Sequence, residues 1–458
     1  MIEWGVAAGF RSARAPRVCH KITWAGTKFI MARRISILTI GTLGDISPMT
    51  VLGLALKRAG YDVSIAVPEN FRSFVEDMGL PSRRCGADFS SFMRAGEMTS
   101  LAGASTVQVV RKWLSPGPEM RDMFEGIFRD AVEATADADA IIFHPLTSIA
   151  CDIAEAKGIP AILVPLGMVS PSAESLLSVI PGTRLPAWNR HSYKTLRLQR
   201  LSYASVVNEI RTKVLGLRRT YFKHPHHVAG RRVPVLYPVS PVLQPRPNED
   251  GDQIHFTGYW FRDGPADWRP TGRLAEFLSR GPQPIYIGFG SMPGLGLERT
   301  EMILRACEAA NQRAILGRGW GAFGEFQLSE NFHLIDYAPH DQLFREVRAV
   351  VHHGGLGTTS SGLRAGRPTL ICPFMLDQKY WGHQVVQLGV GPEFLQIQHW
   401  SVESLTAAIR DLVANRSYAA RAAEIGAAMS QENGTARAVE IVGEIVGSPL
   451  PATELATC

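Results

Sequence analysis

Short apolar runs alternate with amphipathic segments along most of this 458-residue chain, in two separate series. The first series opens with the apolar run 34–40, continues with a helical segment that stops at Gly60, and returns to an apolar run at 62–68. Strands that are apolar throughout are typical of parallel sheets, because helices cover both faces of such sheets. The alternation therefore predicts an α/β fold with a parallel sheet.

The second series starts with the apolar run 283–291, after a proline-rich stretch without periodicity at 237–253. Two doubly wound sheets in tandem predict two Rossmann-like domains that face each other across a cleft, with ligands bound beyond the carboxyl ends of the strands. The predicted divisions are a first domain at 31–240, a linker at 241–255, a second domain at 256–430, and a C-terminal helix and tail at 431–458.

Composition limits the class of protein. The chain is 45% apolar and 20% charged, and its formal net charge is +6. The first 30 residues contain five basic residues and one acidic residue, which leaves +2 for the rest and gives no indication of nucleic-acid binding. No apolar run approaches the roughly 18 residues of a membrane span, so we expect none, with peripheral membrane contact left open.

The six cysteines are scattered, without a CxxC pair or metal-ligand spacing, and no secretion signal precedes the first strand. We therefore expect reduced thiols, a cytoplasmic protein and no bound metal. Residues 1–30 are interpreted as a disordered leader, or as residues upstream of a true start at Met31, which directly precedes the first strand. The second interpretation is favoured.

A glycine-rich loop joins the strand that ends in His352 and His353 to the helix 356–365. Gly355 and Gly357 let the main chain approach a ligand, and the helix N-terminus offers free N–H groups and partial positive charge. Thr358 and one imidazole add hydrogen-bond donors. The loop is predicted to bind a phosphate or diphosphate, although a glycine turn that only serves close packing is the alternative.

Two further strand ends carry polar residues. Asp377 and Gln378 stand at the start of the helix 378–388, and a carboxylate beside an amide suits sugar hydroxyls; Asp377 as a helix cap is the alternative. Ser291 ends another strand and could donate to the same phosphate.

Several segments together resemble the GT-B nucleotide-sugar glycosyltransferases of family 1, in the branch of the sterol glucosyltransferases and antibiotic glycosyltransferases. The segments are GTLGDISP at 41–48, GYWF at 258–261, GFGSM at 288–292, YAPHDQLF at 337–344 and the long signature that starts at His352. The resemblance covers about 34–415 in the expected order.

The resemblance implies a GT-B fold and an inverting, metal-independent hexosyltransferase that needs no cofactor and uses an NDP-sugar, UDP-glucose above all. His353, the loop of Gly355 and Gly357, Thr358 and Ser291 would bind the diphosphate, and His352 would be structural. Asp377 and Gln378 would bind the sugar. Tyr337 and His340 would line the nucleobase. Tyr337 and Ser361 stand where plant relatives carry tryptophan and glutamate, which leaves a dTDP-linked donor open.

Asp45 lies in the loop after the first strand, on the acceptor side of the predicted cleft, where plant relatives of this family use a histidine. No histidine occurs in 34–50, so Asp45 is the candidate base that takes the proton of the acceptor hydroxyl. A helix-capping role for Asp45 is the alternative. Leu43 and Ser47 replace residues usual in the sterol branch, which leaves the acceptor class open.

Methionine and aromatic side chains in the loops of the first domain suit a lipophilic acceptor such as a sterol, lipid, polyketide or phenolic, although core packing also uses such residues. The candidate acceptor-binding residues are Phe89, Phe92, Met93, Trp113 and Met168. Two rival functions share this layout: a UDP-sugar 2-epimerase, which needs no acceptor pocket, and a non-catalytic nucleotide-sugar-binding partner protein.

Overall fold

The computed structural model describes residues 22–24, 27–29, 33–94, 115–169, 175–176, 180–181, 189, 191–195, 197, 200–245, 253–292, 295–319, 323, 328–374 and 377–447. Residues 1–32 form one compact unit and residues 33–458 another. In the first unit, Ile22–Trp24 and Thr27–Phe29 pair as antiparallel strands. Both strands lie within the segment 1–30.

The sheet of the first domain has seven parallel strands in the order β7-β6-β5-β4-β1-β2-β3. The strands are β1 Arg34–Leu38, β2 Asp62–Val67, β3 Ser82–Arg84, β4 Ala140–Phe143, β5 Ala161–Leu163, β6 Val235–Tyr237 and β7 Ile254–Phe256. Leu38, Phe143 and Leu163 lie in one hydrophobic cluster, whereas Ile35 and Ile37 lie in a second cluster on the other face. Both faces are therefore buried, as the apolar strand sequences predict.

The described residues of this part of the chain form six α-helices. They are α1 Leu43–Arg58, α2 Arg72–Asp77, α3 Phe89–Arg94, α4 Pro118–Ala134, α5 Ala150–Lys157 and α6 Ala204–Glu209. The described residues of the basic stretch 190–222 form short helical segments, among them α6. The cations Arg200 and Arg211 of this stretch pair with the fully buried carboxylate of Asp152, which fixes the chain in an irregular path.

The second domain is built on five parallel strands in the order β10-β9-β8-β11-β12. The strands are β8 Ile285–Gly288, β9 Ala314–Gly317, β10 Phe332–Ile335, β11 Ala349–His352 and β12 Thr369–Ile371. The helices that follow the first domain are α7 Gly272–Ser279, α8 Gly296–Ala309, α9 His340–Leu343, α10 Leu356–Arg364, α11 Gln378–Gln387, α12 Val402–Ala414, α13 Arg416–Met429 and α14 Gly434–Val446. The structure thus confirms two parallel α/β domains.

Two elements that lie after residue 240 pack with the first domain. β7 pairs with β6, so the first sheet extends through Phe256 and the predicted linker 241–255 overlaps its last strand. The last helix, α14, returns to the first domain, where Ala438 and Val442 share a buried cluster with Met49 of α1. The physical reason is the apolar face of α1, which α14 covers.

None of the described helices is long and apolar enough to cross a membrane.

Candidate active site

The glycine-rich loop lies at the carboxyl end of β11, as predicted. β11 ends at His352 and α10 begins at Leu356. Gly354 has φ +94°, and a Cβ atom there would lie 2.7 Å from the side chain of Ile371, so a larger residue does not fit. Gly355 occupies the N-cap position, and no side chain caps α10. The first N–H groups of this nine-residue helix are therefore available to an anion.

The two histidines of the loop have different surroundings. His352 is fully buried, and its Nδ1 accepts a hydrogen bond from the Gly354 N–H at 3.0 Å, so it supports the loop. The His353 ring lies between two glycines: Cβ atoms built at Gly290 and Gly355 would come within 3.1 Å of its Cε1 and 2.5 Å of its Nε2. Burial lowers the pKa of His353 to about 4, so its imidazole is neutral at pH 7.

The loop after β8 meets the glycine-rich loop at His353. Gly290, with φ +57°, precedes Ser291, which is partly buried. Thr358 is also partly buried, in the first turn of α10. Its neighbour Thr359 is buried and donates to the Gly355 carbonyl at 2.9 Å, which makes it structural. Ser291, His353 and Thr358 thus belong to adjoining loops at one edge of the second sheet.

The two residues predicted near the nucleobase differ in exposure. Tyr337 is 64% exposed, and its hydroxyl accepts a hydrogen bond from Arg262 at 2.7 Å. The His340 ring instead stacks on Phe344, with a centroid distance of 4.4 Å, and its Nε2 lies 3.5 Å from the Tyr286 hydroxyl. Burial lowers the pKa of His340 to about 4. Tyr337 offers a flat exposed ring, whereas His340 contributes to the packing below it.

Asp377 and Gln378 also face different ways. Asp377 is the N-cap of α11 but makes no capping side-chain bond, and its Oδ2 accepts from the Trp381 indole N–H at 2.8 Å. A Cβ atom at Gly167 of the first domain would lie 3.4 Å from Cβ of Asp377. Gln378 is 4% exposed; its Oε1 accepts from the Phe374 N–H at 2.7 Å. Asp377 thus lies at the boundary between the domains. The amide of Gln378 does not face that boundary; it binds the main chain of the preceding loop at Phe374.

Asp45 performs the capping role that the sequence left as an alternative. It is the third residue of α1, and its Oδ2 accepts from the N–H of Thr42 at 2.6 Å and from the Thr42 hydroxyl at 3.1 Å. This capping box explains why α1 starts at Leu43 and not at Ser47. Gly41 is required beside it, because its φ is +133° and a Cβ atom there would lie 2.2 Å from Oδ2 of Asp45.

The other oxygen of Asp45 remains outside the capping box. Oδ1 lies 3.6 Å from Nε2 of His144, which stands directly after β4, the strand beside β1. The Nδ1 of His144 accepts from the Leu146 N–H at 3.4 Å, which places the imidazole proton on Nε2, towards Asp45. Asp45 can therefore cap α1 through Oδ2 and still act as a base through Oδ1. Sequence reasoning missed His144, although a histidine at the end of a neighbouring parallel strand was the available signal.

The carboxylate of Asp377 in the second domain acts on that of Asp45 in the first. Burial raises the pKa of Asp45 to about 7, and the charge of Asp377 acts in the same direction. Burial also raises the pKa of Asp377 to about 6. Burial lowers the pKa of His144 to about 3, so its imidazole stays neutral. Asp45 thus combines a proton affinity suited to exchange near pH 7 with a neutral donor beside it.

The predicted acceptor residues differ in their burial. Phe89 is 8% exposed and Met168 is 1% exposed, and both belong to the core cluster of the first domain. Both side chains are therefore packed among other apolar residues in this structure. Phe92 is partly buried against Phe89, at a ring distance of 5.7 Å. The side chain of Met93 and the whole of Trp113 lie outside the described residues.

Two family models match the chain, one in each domain. The glycosyltransferase family 28 N-terminal domain matches residues 35–167, and the erythromycin biosynthesis protein CIII-like C-terminal domain matches residues 324–446. The second match contains the glycine-rich loop and Asp377, and the first contains Asp45 and His144.

Curated relatives extend over both domains. Two sterol 3-beta-glucosyltransferases of Arabidopsis thaliana are 33% and 30% identical over 90% and 92% of this chain. The chain spans 66% and 69% of the lengths of these relatives. The O-mycaminosyltylonolide 6-deoxyallosyltransferase of Streptomyces fradiae is 30% identical over 90% of this chain and 97% of its own length.

Solved structures show the same fold at low identity. The calicheamicin glycosyltransferase CalG4 has a TM-score of 0.67 at 19% identity, over 92% of this chain and 100% of its own. The glycosyltransferase VinC in complex with dTDP has a TM-score of 0.57 at 20% identity, over 90% of this chain and 98% of its own. Together with the relatives, these structures show that the chain belongs to the GT-B glycosyltransferases, in the branch of the sterol glucosyltransferases and antibiotic glycosyltransferases.

Proposed function

We propose that the protein is an inverting, metal-independent glycosyltransferase that moves a hexose from an NDP-sugar, UDP-glucose above all, to a hydroxyl of a lipophilic small molecule. One observation carries the proposal: Asp377, which follows the glycine-rich loop in the second domain, lies against Gly167 of the first domain, where a Cβ atom would be 3.4 Å from its own Cβ. Its charge also raises the pKa of Asp45 in the first domain. A base and a sugar-type carboxylate thus belong to one site, as transfer between a hydroxyl and a bound sugar requires.

The diphosphate would bind at the N-terminus of α10. The uncapped N–H groups of Gly357 and Thr358 supply fixed donors, and the neutral imidazole of His353 supplies another. These groups stabilise negative charge on the leaving diphosphate without a change in their own protonation. Ser291 adjoins them, and Asp377 would accept from hydroxyls of the sugar.

In the proposed transfer, Asp45 takes the proton of the acceptor hydroxyl as that oxygen attacks the anomeric carbon. A new carbon–oxygen bond forms on one face of the sugar, and the bond to the diphosphate breaks on the other, with its electron pair left on the diphosphate. The NDP departs as an anion, and Asp45 later gives its proton to solvent. The His144 Nε2–H would help to hold Asp45 ionised and oriented for this step.

The nucleobase would lie against the exposed Tyr337, since a flat ring is a stacking surface for a base. A tyrosine there serves uracil and thymine alike, so the identity of the base is part of the test. The lipophilic acceptor is supported by the activities named for the relatives: sterol glucosylation in A. thaliana and transfer to a tylonolide in S. fradiae.

The test is an incubation with UDP-glucose or dTDP-glucose and a panel of a sterol, a macrolide aglycone and a flavonol. Free NDP and the mass of each acceptor are measured. An acceptor-dependent release of NDP, with a mass gain of one hexose, supports the proposal. A changed sugar without an acceptor would indicate an epimerase, and NDP binding without turnover on any acceptor would indicate a binding partner; either result would refute transfer.

A further inference from the structure

The hydroxyl of a nearly buried tyrosine lies beside Gly357, in the proposed diphosphate site. Tyr259 lies in the segment that follows β7 and leads into the second domain, and it is only 8% exposed. Its ring packs edge-on against Phe261 at a centroid distance of 4.9 Å. A Cβ atom built at Gly357 would come within 2.7 Å of the Tyr259 hydroxyl, so this hydroxyl occupies the space beside the first turn of α10 that a side chain at 357 would fill.

This arrangement gives Gly357 a second role. A glycine at this position admits a ligand to the main chain, and it also admits the hydroxyl of Tyr259. Removal of the hydroxyl would leave the ring carbon Cζ as the nearest atom to such a Cβ, at 3.5 Å, which is an ordinary contact distance. The close approach between Tyr259 and Gly357 is therefore due to the oxygen alone.

The Tyr259 hydroxyl forms no hydrogen bond with any residue in the described part of the chain. Other buried tyrosines of this structure do have partners: the Tyr237 hydroxyl accepts from the Val169 N–H at 3.0 Å, and the Tyr380 hydroxyl donates to Gln244. A hydroxyl without a protein partner beside the uncapped N-terminus of α10 is in a position to donate to a ligand there.

The surroundings of Tyr259 keep its hydroxyl protonated, so that it can donate a hydrogen bond. Burial raises the pKa of Tyr259, and the nearby carboxylate of Asp45 raises it further, so the proton stays on the oxygen at neutral pH. A protonated hydroxyl can donate to an anion, whereas the Asp45 carboxylate can only accept from it. No described contact joins Tyr259 and Asp45 directly, which leaves the proton of the hydroxyl for a ligand.

We propose that the Tyr259 hydroxyl donates a hydrogen bond to the diphosphate of the bound nucleotide, next to the N–H groups of α10, and stabilises its charge as the sugar departs. This proposal rests on the proposed function. The tyrosine keeps its proton throughout, and the electron pair of the broken bond stays on the diphosphate. Tyr259 lies on the segment that follows β7 and leads into the second domain. Diphosphate binding should therefore depend on the position of this segment, because the hydrogen bond from Tyr259 depends on it.

The test compares Tyr259→Phe with the parent protein and with Tyr418→Phe, which removes a hydroxyl that donates to Asp411 at the protein surface. Dissociation constants are measured for UDP and for uridine, or for dTDP and thymidine if the parent prefers them. We expect Tyr259→Phe to weaken binding of the diphosphate about fivefold or more, with nucleoside binding unchanged, and to lower kcat by a larger factor. Tyr418→Phe should behave like the parent.

A second variant pair tests the geometry itself. Gly357→Ala should strongly weaken diphosphate binding in the parent, whereas the same change in the Tyr259→Phe protein should cost less, because the clashing oxygen is gone.

Unchanged diphosphate affinity and kcat in Tyr259→Phe would overturn the inference, and so would an equal loss of nucleoside affinity. A shift of the pH profile without a loss of diphosphate affinity would also overturn it, in favour of an action on Asp45. Failure of the parent protein to bind any nucleoside diphosphate would instead refute the proposed function, so the two failures are distinguishable.

Discussion

Asp45 divides its two carboxylate oxygens between two partners. Oδ2 accepts from the main chain and hydroxyl of Thr42 and so caps α1, while Oδ1 lies 3.6 Å from the Nε2 of His144. The cap fixes the orientation of the carboxylate without occupying both of its oxygens. A residue that seemed from the sequence to be either a base or a cap is able to be both.

Replacement of this carboxylate should separate chemistry from donor binding. Asparagine at position 45 keeps an acceptor for the Thr42 N–H but cannot take a proton. We expect Asp45→Asn to lower kcat by about 10²- to 10⁴-fold, with the dissociation constant of UDP within about twofold of the parent value. Calorimetric titration and steady-state kinetics on the same preparation measure both. A matching loss of UDP affinity would remove Asp45 from the base role.

The pH dependence follows from the raised pKa of Asp45. The groups that face Asp45 are His144, Asp377, Tyr259 and the Thr42 cap, and its own pKa lies at about 7. Because the base must be ionised, kcat/KM should rise with pH and level off above about pH 7. Asp377, with a pKa of about 6, should add a second, lower step. A profile that is flat from pH 5 to 8 would contradict this assignment.

The free energy of unfolding should fall as the pH rises, whereas kcat/KM should increase. The folded-state pKa of Asp45 lies above the usual value of 3.8, so the folded protein binds this proton more tightly than the unfolded chain. The associated stabilisation is present below about pH 4 and is lost as the pH rises through about 7. The melting temperature of Asp45→Asn should therefore fall less between pH 5 and 8 than that of the parent, as measured by thermal unfolding.

His144 should act through Asp45 and not on the substrate. A leucine at 144 removes the Nε2–H and should move the acidic limb of kcat/KM to higher pH, since the ionised carboxylate loses a donor. A glutamine at 144 offers an amide N–H in a similar place and should restore most of the parent profile. A purely structural role for His144 would predict equal losses in both variants and an unshifted limb.

His353 should matter for nucleotide affinity. His353→Ala removes an imidazole that lies between Gly290 and Gly355, and we expect UDP to bind about tenfold or more weakly, the range for a hydrogen bond to a charged group. His399→Ala, at an exposed position beyond α11, is the matched control and should bind UDP like the parent. Equal UDP affinity in the His353 variant and the control would exclude the imidazole from the diphosphate site.

The strands and the glycine-rich loop were predictable because each is encoded locally. The apolar runs of β1 and β11 indicate buried parallel strands, and the glycines before α10 indicate a tight turn from strand to helix. Asp45 was found for the same reason, since it follows the first strand. The family signatures confirmed by the comparisons are also contiguous in sequence.

Features that depend on distant parts of the chain were not predictable. The partner of Asp45, His144, lies about 100 residues away and meets it only because β4 pairs with β1. The orientation of Gln378 depends on the Phe374 N–H and on Met292 of another loop, and periodicity does not encode such contacts. Phe89 and Met168 show the same limit: an apolar residue in a loop can belong to a pocket or to the core, and only the packing distinguishes them.

The most direct test of the central claim is a crystal structure of the protein with UDP. We expect the diphosphate to lie within hydrogen-bond distance of the N–H groups of Gly357 and Thr358 and of the His353 imidazole, with the uracil ring against Tyr337. A diphosphate bound away from the N-terminus of α10 would contradict the proposed donor site.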